Sequence, residues 1–295
     1  MVNVGVVILH YLNIDETKKC VSSYIKLDKN DINPIIVIVD NGSNNGTCEI
    51  LEQIYGAEDN IFVLRLDSNE GFARGNNAGL KFLQNRSNLD FVVYSNSDIE
   101  FLDNNFYHWL VSDYNKYGYS VLGPDIYSVN NNFHQSPCQN IDSDKLKKFI
   151  SKYPIRLFEF HVLNFLQTHK FFSFIYSILR KIYKSKVDNY KNEDFKKIIE
   201  NNVTLHGALF IFSKDFFEKY PDGICSETFL YFEENILKCY CDRYNLKMVY
   251  DGTYTVNHMQ AASTSLVHSK KYEREIFRLK EMRKSADILW DNLRG

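Results

Sequence analysis

Four short apolar segments within the first hundred residues each end in a cluster of polar side chains. These segments are residues 4–9, 35–39, 62–66 and 91–94, and they are followed by His10-Tyr11, Asp40-Asn41-Gly42-Ser43, Asp67-Ser68-Asn69 and Ser95-Asn96-Ser97-Asp98. The first two are rich in Val and Ile without polar alternation, which is typical of strands buried on both faces of a parallel sheet. Such sheets bind ligands at the carboxyl ends of their strands. We therefore expect the four clusters to border one crevice.

Between and after these segments, apolar side chains recur at helical spacing. The pattern predicts helices over residues 17–27, 47–55 and 76–83, with Asp15 as the N-cap of the first. Alternating strands and helices are typical of βαβ units, whose right-handed crossovers place parallel strands side by side. We therefore predict an α/β fold.

The rest of the chain gives weaker signals. We predict a helix over residues 101–116, then a loop that contains Pro124, residues 130–132 and Pro137. Apolar patterning resumes at residues 204–212. Two short strands are predicted at 247–250 and 253–256, and residues 270–293 are predicted to form a charged helical tail.

Composition limits the class of protein. The 295 residues, 44% hydrophobic and 15% aromatic, are enough for one or two domains with a large core. A net charge of −2 predicts no nucleic-acid partner. The six cysteines form no CxxC pair, so we expect reduced thiols in a cytoplasmic protein. We expect neither a signal peptide nor a membrane-spanning helix, because no basic leader and no apolar run of about 20 residues is present.

Residues 145–186 differ from the rest in charge. They contain ten basic residues and one acidic residue, Glu159. Within residues 171–182, one helical face carries Phe171, Phe174, Ile175, Ile178, Leu179 and Ile182. A basic helix with an aromatic apolar face is suited to an anionic membrane surface, but the same pattern also fits a helix that packs on the main domain with its charges in water.

Several polar residues are candidates for chemistry. Asp98, with Asn96 two residues earlier, offers oxygen ligands to a divalent cation, although Asn, Ser and Asp also form ordinary turns. Glu233-Glu234 follows an aromatic run, and paired acids in such a setting suit a general base or simply begin a helix. His258 follows a predicted strand, where a metal ligand and a structural histidine are both reasonable.

A glycine-containing segment, Gly71-Phe72-Ala73-Arg74-Gly75, precedes the predicted helix at 76–83. It matches neither the dinucleotide-binding fingerprint nor the P-loop. Glycines before a helix N-terminus still allow an anion to approach the backbone closely, and Arg74 adds positive charge.

Taken together, these segments resemble the family 2 glycosyltransferases of bacterial polysaccharide synthesis, including rhamnosyltransferase-like members. The similar stretches cover residues 4–98 and 204–264 in the family's order. They are VGVVILHY (4–11), VIVDNGSNNGT (37–47), NEGFARGNN (69–77), YSNSD (94–98), HGALFIFSKDFFEKY (206–220), TFLYFEENIL (228–237) and VNHMQAAS (256–263). The third and sixth are the most specific.

The resemblance implies a GT-A fold, in which a Rossmann-like mixed sheet is flanked by helices, here with a basic aromatic helical insertion. It implies a domain over residues 1–264 with an insertion at about 141–200, followed by a helical tail at 265–295. It further implies a nucleotide-diphosphate sugar donor such as a UDP- or dTDP-sugar, a divalent metal (Mg²⁺ or Mn²⁺), and inversion at the anomeric carbon.

The resemblance also implies roles for individual residues. Asp40, Asn69, Arg74, Asn77 and Asn96 match positions that bind the donor. Asp98 and His258 match positions that hold the metal and the diphosphate. Glu234 matches the usual catalytic base, and Glu233 is its alternative because the family's Glu-Asp pair is Glu-Glu here. The metal signature, usually Asp-x-Asp or Asn-Pro-Asp, is Asn96-Ser97-Asp98 in this chain.

The predicted function is transfer of a sugar, of the hexosyl or rhamnosyl type, to a hydroxyl of a lipid-linked saccharide in surface polysaccharide (capsule or O-antigen) synthesis. We expect the protein to be cytoplasmic and peripheral on the inner face of the membrane. Two alternatives stay open: a nucleotidyltransferase that makes nucleotide sugars, and a non-catalytic partner that binds polysaccharide or membrane through residues 145–186. The residues after the first strand, His10 to Ile14, contain no glycine for a triphosphate loop, which disfavours the nucleotidyltransferase.

Overall fold

A mixed β-sheet organises the protein in the computed structural model, which describes residues 1–168, 199–260 and 270–294. In these residues ten strands form the sheet. The strands are β1 (Val2–His10), β2 (Ile32–Asp40), β3 (Ile61–Arg65), β4 (Phe91–Asn96), β5 (Ile99–Phe101), β6 (Val121–Ser128), β7 (Phe133–His134), β8 (Ile199–Asn201), β9 (Leu209–Ser213) and β10 (Met248–His258).

The amino-terminal half of the sheet is parallel, as predicted. The strand order is β3-β2-β1-β4-β9-β6-β10-β5, and β1 pairs in parallel with both β2 and β4. Strand β9 then runs antiparallel to both β4 and β6, and β5 runs antiparallel to β10. The carboxyl ends of β1, β2 and β4 therefore lie along one edge, where their polar clusters follow.

Helices cover the sheet and extend beyond it. They are α1 (Ile14–Ile25), α2 (Thr47–Tyr55), α3 (Gly71–Gln84), α4 (Phe106–Tyr117), α5 (Ser143–Thr168), α6 (Lys214–Phe217), α7 (Glu233–Arg243) and α8 (Lys271–Asn292). The predictions of α2 and of the helical tail α8 are confirmed. None of these described helices is long and apolar enough to cross a membrane.

Alternate residues of the central strands enter two apolar layers. Val4, Val6 and Ile8 of β1 lie in the layer that contains α1 and α4, whereas Val7 lies in the layer that contains α3. Every one of these side chains is fully buried. Burial on both faces explains why the strand sequences lack polar alternation.

Two helix starts differ from the prediction. The N-cap of α1 is Asn13, whose side chain accepts from the Glu16 amide at 3.4 Å, and Asp15 lies in the first turn. Helix α3 begins at Gly71 instead of Asn76, so the glycine-containing segment is its first turn. The reason is tertiary, because the Phe229 carbonyl accepts from the Phe72 amide at 2.9 Å and so satisfies a free N–H of that turn.

Three predictions for the chain after β4 are corrected. The helix predicted at 101–116 is Phe106–Tyr117, because residues before it form β5. Pro124 lies inside β6, opposite the register shift in β10, where a missing N–H is tolerated. The two strands predicted at 247–250 and 253–256 are the single strand β10, interrupted only by that register shift.

Helices α5 and α8 pack on each other and on α7. Leu146 of α5 shares an apolar cluster with Ile236 of α7 and with Ala286 and Leu289 of α8. Farther along, Phe160 and Leu163 of α5 contact the start of α8. The helical character of the predicted insertion is therefore confirmed for its first part. The amphipathic face at 171–182 lies outside the described residues, and the domain limits stay predictions.

The cysteines agree with the expectation of unlinked thiols. All six are free in the structure, and four of them are buried. Their reduced state and the compartment that it implies stay predictions.

Candidate active site

Asp98 and His258 meet beside the carboxyl end of β4. Asp98 lies in the turn between β4 and β5, and β5 pairs with the end of β10, where His258 is located. The Asp98 Oδ1 atom is 3.3 Å from His258 Nε2, and both side chains are nearly buried. The Met259 amide also donates to the Asp98 carbonyl at 3.0 Å. Strand pairing therefore brings together two residues that are 160 positions apart in the sequence.

A third residue orients the His258 ring. His258 Nδ1 lies 2.8 Å from Gln135 Oε1. Since that amide oxygen only accepts, Nδ1 donates to it, and Nε2 is the ring nitrogen that faces the Asp98 carboxylate.

The Asp98–His258 pair fits a divalent metal only as part of a larger ligand set. Oxygen and imidazole nitrogen are ordinary ligands, and the second nitrogen is held by a hydrogen-bond partner, as metal-bound histidines usually are. Within residues 1–168, 199–260 and 270–294 no group of three or more His, Cys, Asp or Glu side chains is arranged to hold a metal. Phosphate oxygens and water have to complete the coordination.

His206 lies next to this pair. Its ring centroid is 5.8 Å from that of His258. Its Nδ1 accepts from the Ala208 amide at 3.1 Å, which places the ring proton on Nε2. Burial, together with repulsion from His258, lowers the pKa of His206 to about 3. His206 is therefore a neutral hydrogen-bond donor at this site, a role that the sequence analysis missed because an isolated His carries no spacing signal.

Glu234 is linked to His206 through Gly207, the next residue along the chain. The Gly207 amide lies 3.3 Å from Glu234 Oε1 and donates to it. A Cβ on Gly207 would stand 2.9 Å from the same oxygen, so glycine allows the carboxylate to approach the backbone. Glu234 and the Asp98–His258 pair are thus joined through two consecutive residues, His206 and Gly207, and the roles of the three predicted side chains stay predictions.

The two adjacent acids have different environments. Glu233 is 7% exposed, and its Oε1 has no hydrogen-bond partner. Burial and the charge of Glu234 raise the pKa of Glu233 to about 8, so this group is protonated at neutral pH. Burial also raises the pKa of Glu234, but the Gly207 N–H bond opposes that shift by favouring the carboxylate. We assign the negative charge of the pair to Glu234.

Asp40 lies at the end of β2 and is buried. Its Oδ1 accepts from the Ser43 amide at 3.1 Å, which holds the turn that follows the strand. His10, paired with Asp40 across β1 and β2, is fixed by the hydroxyls of Thr17 and Thr47 at 2.7 and 2.9 Å. Burial lowers the pKa of His10 even though the Asp40 charge opposes the shift.

The start of α3 is built from paired asparagines. Asn69 Oδ1 accepts from the Gly71 amide at 2.9 Å, and Asn41 Oδ1 accepts from the Glu70 amide at 2.9 Å. The Asn41 side chain in turn donates to Asn69 Oδ1 at 3.2 Å. Asn41 was not among the predicted residues, although it stands in the cluster after β2. The polar clusters after β2 and β3 are therefore joined, as predicted.

Three other predicted donor residues have contacts within the chain. Arg74 is exposed, and its Nε donates to the Ser226 carbonyl at 2.8 Å. The Asn77 side chain bonds to both the amide and the carbonyl of Ile224, at 3.1 and 2.7 Å. The Asn96 amide donates to the Ala208 carbonyl at 2.9 Å. These contacts position neighbouring loops, and donor binding by the three residues stays a prediction.

Comparison with protein families gives a match over most of the chain. The model of "Glycosyl transferase family 2" matches residues 5–238. A comparison with curated proteins gives no significant match.

Comparison with solved structures supports the same fold. S. aureus TarS (residues 1–349) in complex with UDP-GlcNAc is similar at a TM-score of 0.55 with 14% identity, over 99% of this chain and 71% of that one. The mannosyltransferase PcManGT from Pyrobaculum calidifontis, in complex with GDP-Man and Mn²⁺, is similar at a TM-score of 0.52 with 10% identity, over 99% of this chain and 72% of that one. GalNAc-T7 with UDP, GalNAc and Mn²⁺ is similar at a TM-score of 0.57 with 14% identity, over 97% of this chain and 55% of that one. The predicted GT-A fold is confirmed.

Proposed function

Because the chain belongs to glycosyl transferase family 2, we propose that it transfers a sugar, with inversion, from a nucleotide-diphosphate donor to a hydroxyl group of a saccharide. One observation carries the proposal: Glu234 is hydrogen-bonded to Gly207, and the adjacent His206 contacts the ring of His258, which pairs with Asp98. A group suited to take a proton and a pair suited to a departing diphosphate thus share one edge of the sheet.

Glu234 is the proposed general base. The acceptor oxygen forms a bond to the anomeric carbon while the bond from that carbon to the diphosphate oxygen breaks, and the hydroxyl proton passes to Glu234. Attack from the face opposite the leaving group gives inversion in a single displacement. Glu233 is the weaker candidate because its carboxyl group is buried and protonated at neutral pH.

Asp98 and His258 are the proposed ligands of Mg²⁺ or Mn²⁺. Two of the similar structures, PcManGT and GalNAc-T7, are complexes that contain Mn²⁺. When bound, the metal offsets the negative charge of the donor diphosphate and of the leaving group. Gln135 fixes the ring so that Nε2 of His258 faces Asp98, and the neutral His206, which accepts from the Ala208 amide, adds no charge.

Donor binding is proposed for the edge formed by β1, β2 and the start of α3. Asp40 follows β2, and contact with the nucleoside is its proposed role. Asn69 and Arg74 lie on either side of the α3 N-terminus, a favourable position for an anion. Asn77 and Asn96 complete the set. A UDP- or dTDP-sugar is the proposed donor, and similar structures are complexes with UDP, UDP-GlcNAc and GDP-Man.

The acceptor is proposed to be a lipid-linked saccharide of surface polysaccharide synthesis. Helix α5 supports this proposal because it presents Ile155 and Phe158, one helical turn apart, at 64% and 70% exposure. Lys148 and Lys152 lie on the same exposed side of the helix. Apolar and basic side chains together favour an anionic lipid surface, which places the protein on the inner face of the membrane.

A thermal-shift screen of nucleotide sugars tests the proposal, because a ligand that binds only the folded protein raises its melting temperature. We expect one UDP- or dTDP-sugar to raise the melting temperature more in the presence of Mn²⁺ than without it. Asp98→Asn should remove the Mn²⁺-dependent part. Nuclear magnetic resonance of the product should show the anomer opposite to that of the donor. A product with the donor's configuration would contradict the inverting mechanism.

A further inference from the structure

The loop that leads into the catalytic acids has an unusual backbone. Tyr231 and Phe232 have φ values of +75° and +68°, so two successive aromatic residues occupy the left-handed region. Residues other than glycine adopt this conformation only where the surrounding structure enforces it. Glu233 begins α7 immediately afterwards, and the loop conformation therefore sets the direction in which Glu233 and Glu234 point.

Helix α8 supplies one of the contacts that enforce this conformation. The Ser285 hydroxyl donates to the Leu230 carbonyl at 2.8 Å, and Ser285 is almost completely buried. On the other side, the Phe72 amide donates to the Phe229 carbonyl at 2.9 Å. The two consecutive carbonyl groups before the left-handed pair are thus held by two different helices.

The Phe232 ring is held by the same helical assembly. It meets Phe149 of α5 edge-on at a centroid distance of 5.8 Å. It also lies in the cluster formed by Leu146, Ala286 and Leu289. Helix α8 lies beyond residues 5–238, so the family match assigns no role to this contact.

We propose that α8 is part of the catalytic apparatus and that Ser285 is a positioning residue. Through the Leu230 carbonyl, it fixes the left-handed Tyr231–Phe232 pair and thereby the place of the Glu234 carboxylate beside Gly207. The effect on turnover rests on the proposed function, whereas the effect on the loop does not.

The chain offers a closely matched control. Ser213 is also buried, and its hydroxyl donates to the Tyr119 carbonyl at the same distance of 2.8 Å. Ser213 is the last residue of β9 and pairs with Phe91, the first residue of β4. It therefore lies at the edge of the sheet opposite the site. Ser213→Ala thus removes the same kind of bond without touching the loop, and Ser285→Thr keeps the hydroxyl in place.

Hydrogen exchange of the peptide spanning residues 229–235 tests the loop contact without a substrate. Loss of one buried hydrogen bond should speed exchange there about fivefold in Ser285→Ala and leave it unchanged in Ser213→Ala. With the identified donor, kcat should fall by about the same factor in Ser285→Ala while the donor KM stays constant, and Ser285→Thr should recover kcat.

Two results would overturn the proposal. One is wild-type exchange of residues 229–235 in Ser285→Ala. The other is faster exchange in that peptide with unchanged kcat. A wild-type protein that transfers no sugar would instead count against the proposed function, and the exchange measurement would still decide whether Ser285 holds the loop.

Discussion

At the scale of single residues, position gives two identical side chains different environments. Glu233 and Glu234 are adjacent, yet only Glu234 accepts a hydrogen bond from Gly207, and only Glu233 has a buried oxygen without a partner. The sequence predicted that one of them is the base. It could not decide between them, because the choice depends on the turn of the loop that precedes α7.

Glu233→Gln tests this difference. The substitution resembles the protonated carboxyl group that the structure favours at neutral pH. We expect kcat to stay within about threefold of the wild-type value, since a buried neutral group replaces another. Steady-state kinetics at pH 7 measure this, and a loss of several hundredfold would transfer the role of the base to Glu233.

A second carboxylate pair gives a prediction for stability. Asp113 of α4 is 7% exposed and faces Asp251 of β10, and burial followed by hydrogen bonding to Asp251 raises the pKa of Asp113 to about 7. Asp251 keeps its charge because the Trp109 ring N–H and the Thr253 amide donate to it, at 2.9 and 2.8 Å. These bonds and the one from Asp113 lower the pKa of Asp251 against the effect of burial.

The sign follows from proton binding. Between the unfolded pKa of Asp113, near 4, and its folded pKa, about 7, the folded state holds one more proton than the unfolded state. The free energy of unfolding therefore falls as pH rises through this window, by up to ~1.4 kcal/mol per pH unit. Asp113→Asn should remove this decline. Urea unfolding at pH 5 and pH 8 measures it, and an equal slope in both proteins would refute the assignment.

Residues found only in the structure share a physical reason. His206 and Gln135 belong to segments with no recognisable spacing, and each acquires its role from a neighbour distant in sequence. Asp98, His258 and Glu234 were predicted because of a family resemblance. Their meeting depends on the pairing of β5 with β10, which local patterns do not encode.

At the scale of elements, the strength of the sequence pattern determined which strands and helices were predicted correctly. Buried parallel strands and α2 were predicted because apolar periodicity and turn residues agree there. The predicted start of α3 was wrong because the carbonyl of Phe229, far along the chain, accepts a hydrogen bond from the first turn of the helix. The strand β10 was predicted as two strands because the residues at its register shift resemble a turn in the sequence.

Gly71 provides a test of this tertiary contact. Its φ is +83°, and a Cβ would stand 2.3 Å from the Phe229 carbonyl oxygen. Gly71→Ala should lower the free energy of unfolding by about 2–4 kcal/mol, because strain and overlap add. Gly46 at the start of α2 is the control, with φ +82° and no atom within 4 Å of the added Cβ.

The control separates strain from contact. Gly46→Ala should cost only about 1 kcal/mol, from the left-handed backbone alone. Urea unfolding of both variants gives the comparison. Equal losses would show that the contact between α3 and the loop before Glu233 contributes nothing to stability.

At the scale of the whole molecule, the GT-A sheet is joined by the α5–α8 pair, whose two helices have different proposed tasks. The sheet edge is the proposed site of the donor and the reacting groups, α8 is the proposed support of the loop before Glu234, and α5 presents exposed apolar and basic side chains. Composition predicted a basic helical insertion. Its packing on the tail could not be predicted, since α5 and α8 join through long-range apolar contacts.

Membrane attachment is testable with vesicles that contain phosphatidylserine. Replacing Ile155 and Phe158 together by Ser should reduce the bound fraction about tenfold, because apolar area no longer enters the interface. Ile25 and Ile54, each 44% exposed on α1 and α2, are the matched control and should change little when replaced by Ser. Equal binding by both double variants would exclude α5 as the contact.

The most direct test of the site is Glu234→Gln, measured by donor titration calorimetry and by single-turnover transfer. If Glu234 is the base beside an intact Asp98–His258 pair, the variant should bind the donor with unchanged affinity in the presence of Mn²⁺. Its transfer rate should fall by about 10²–10⁴-fold. Transfer at the wild-type rate would contradict the account.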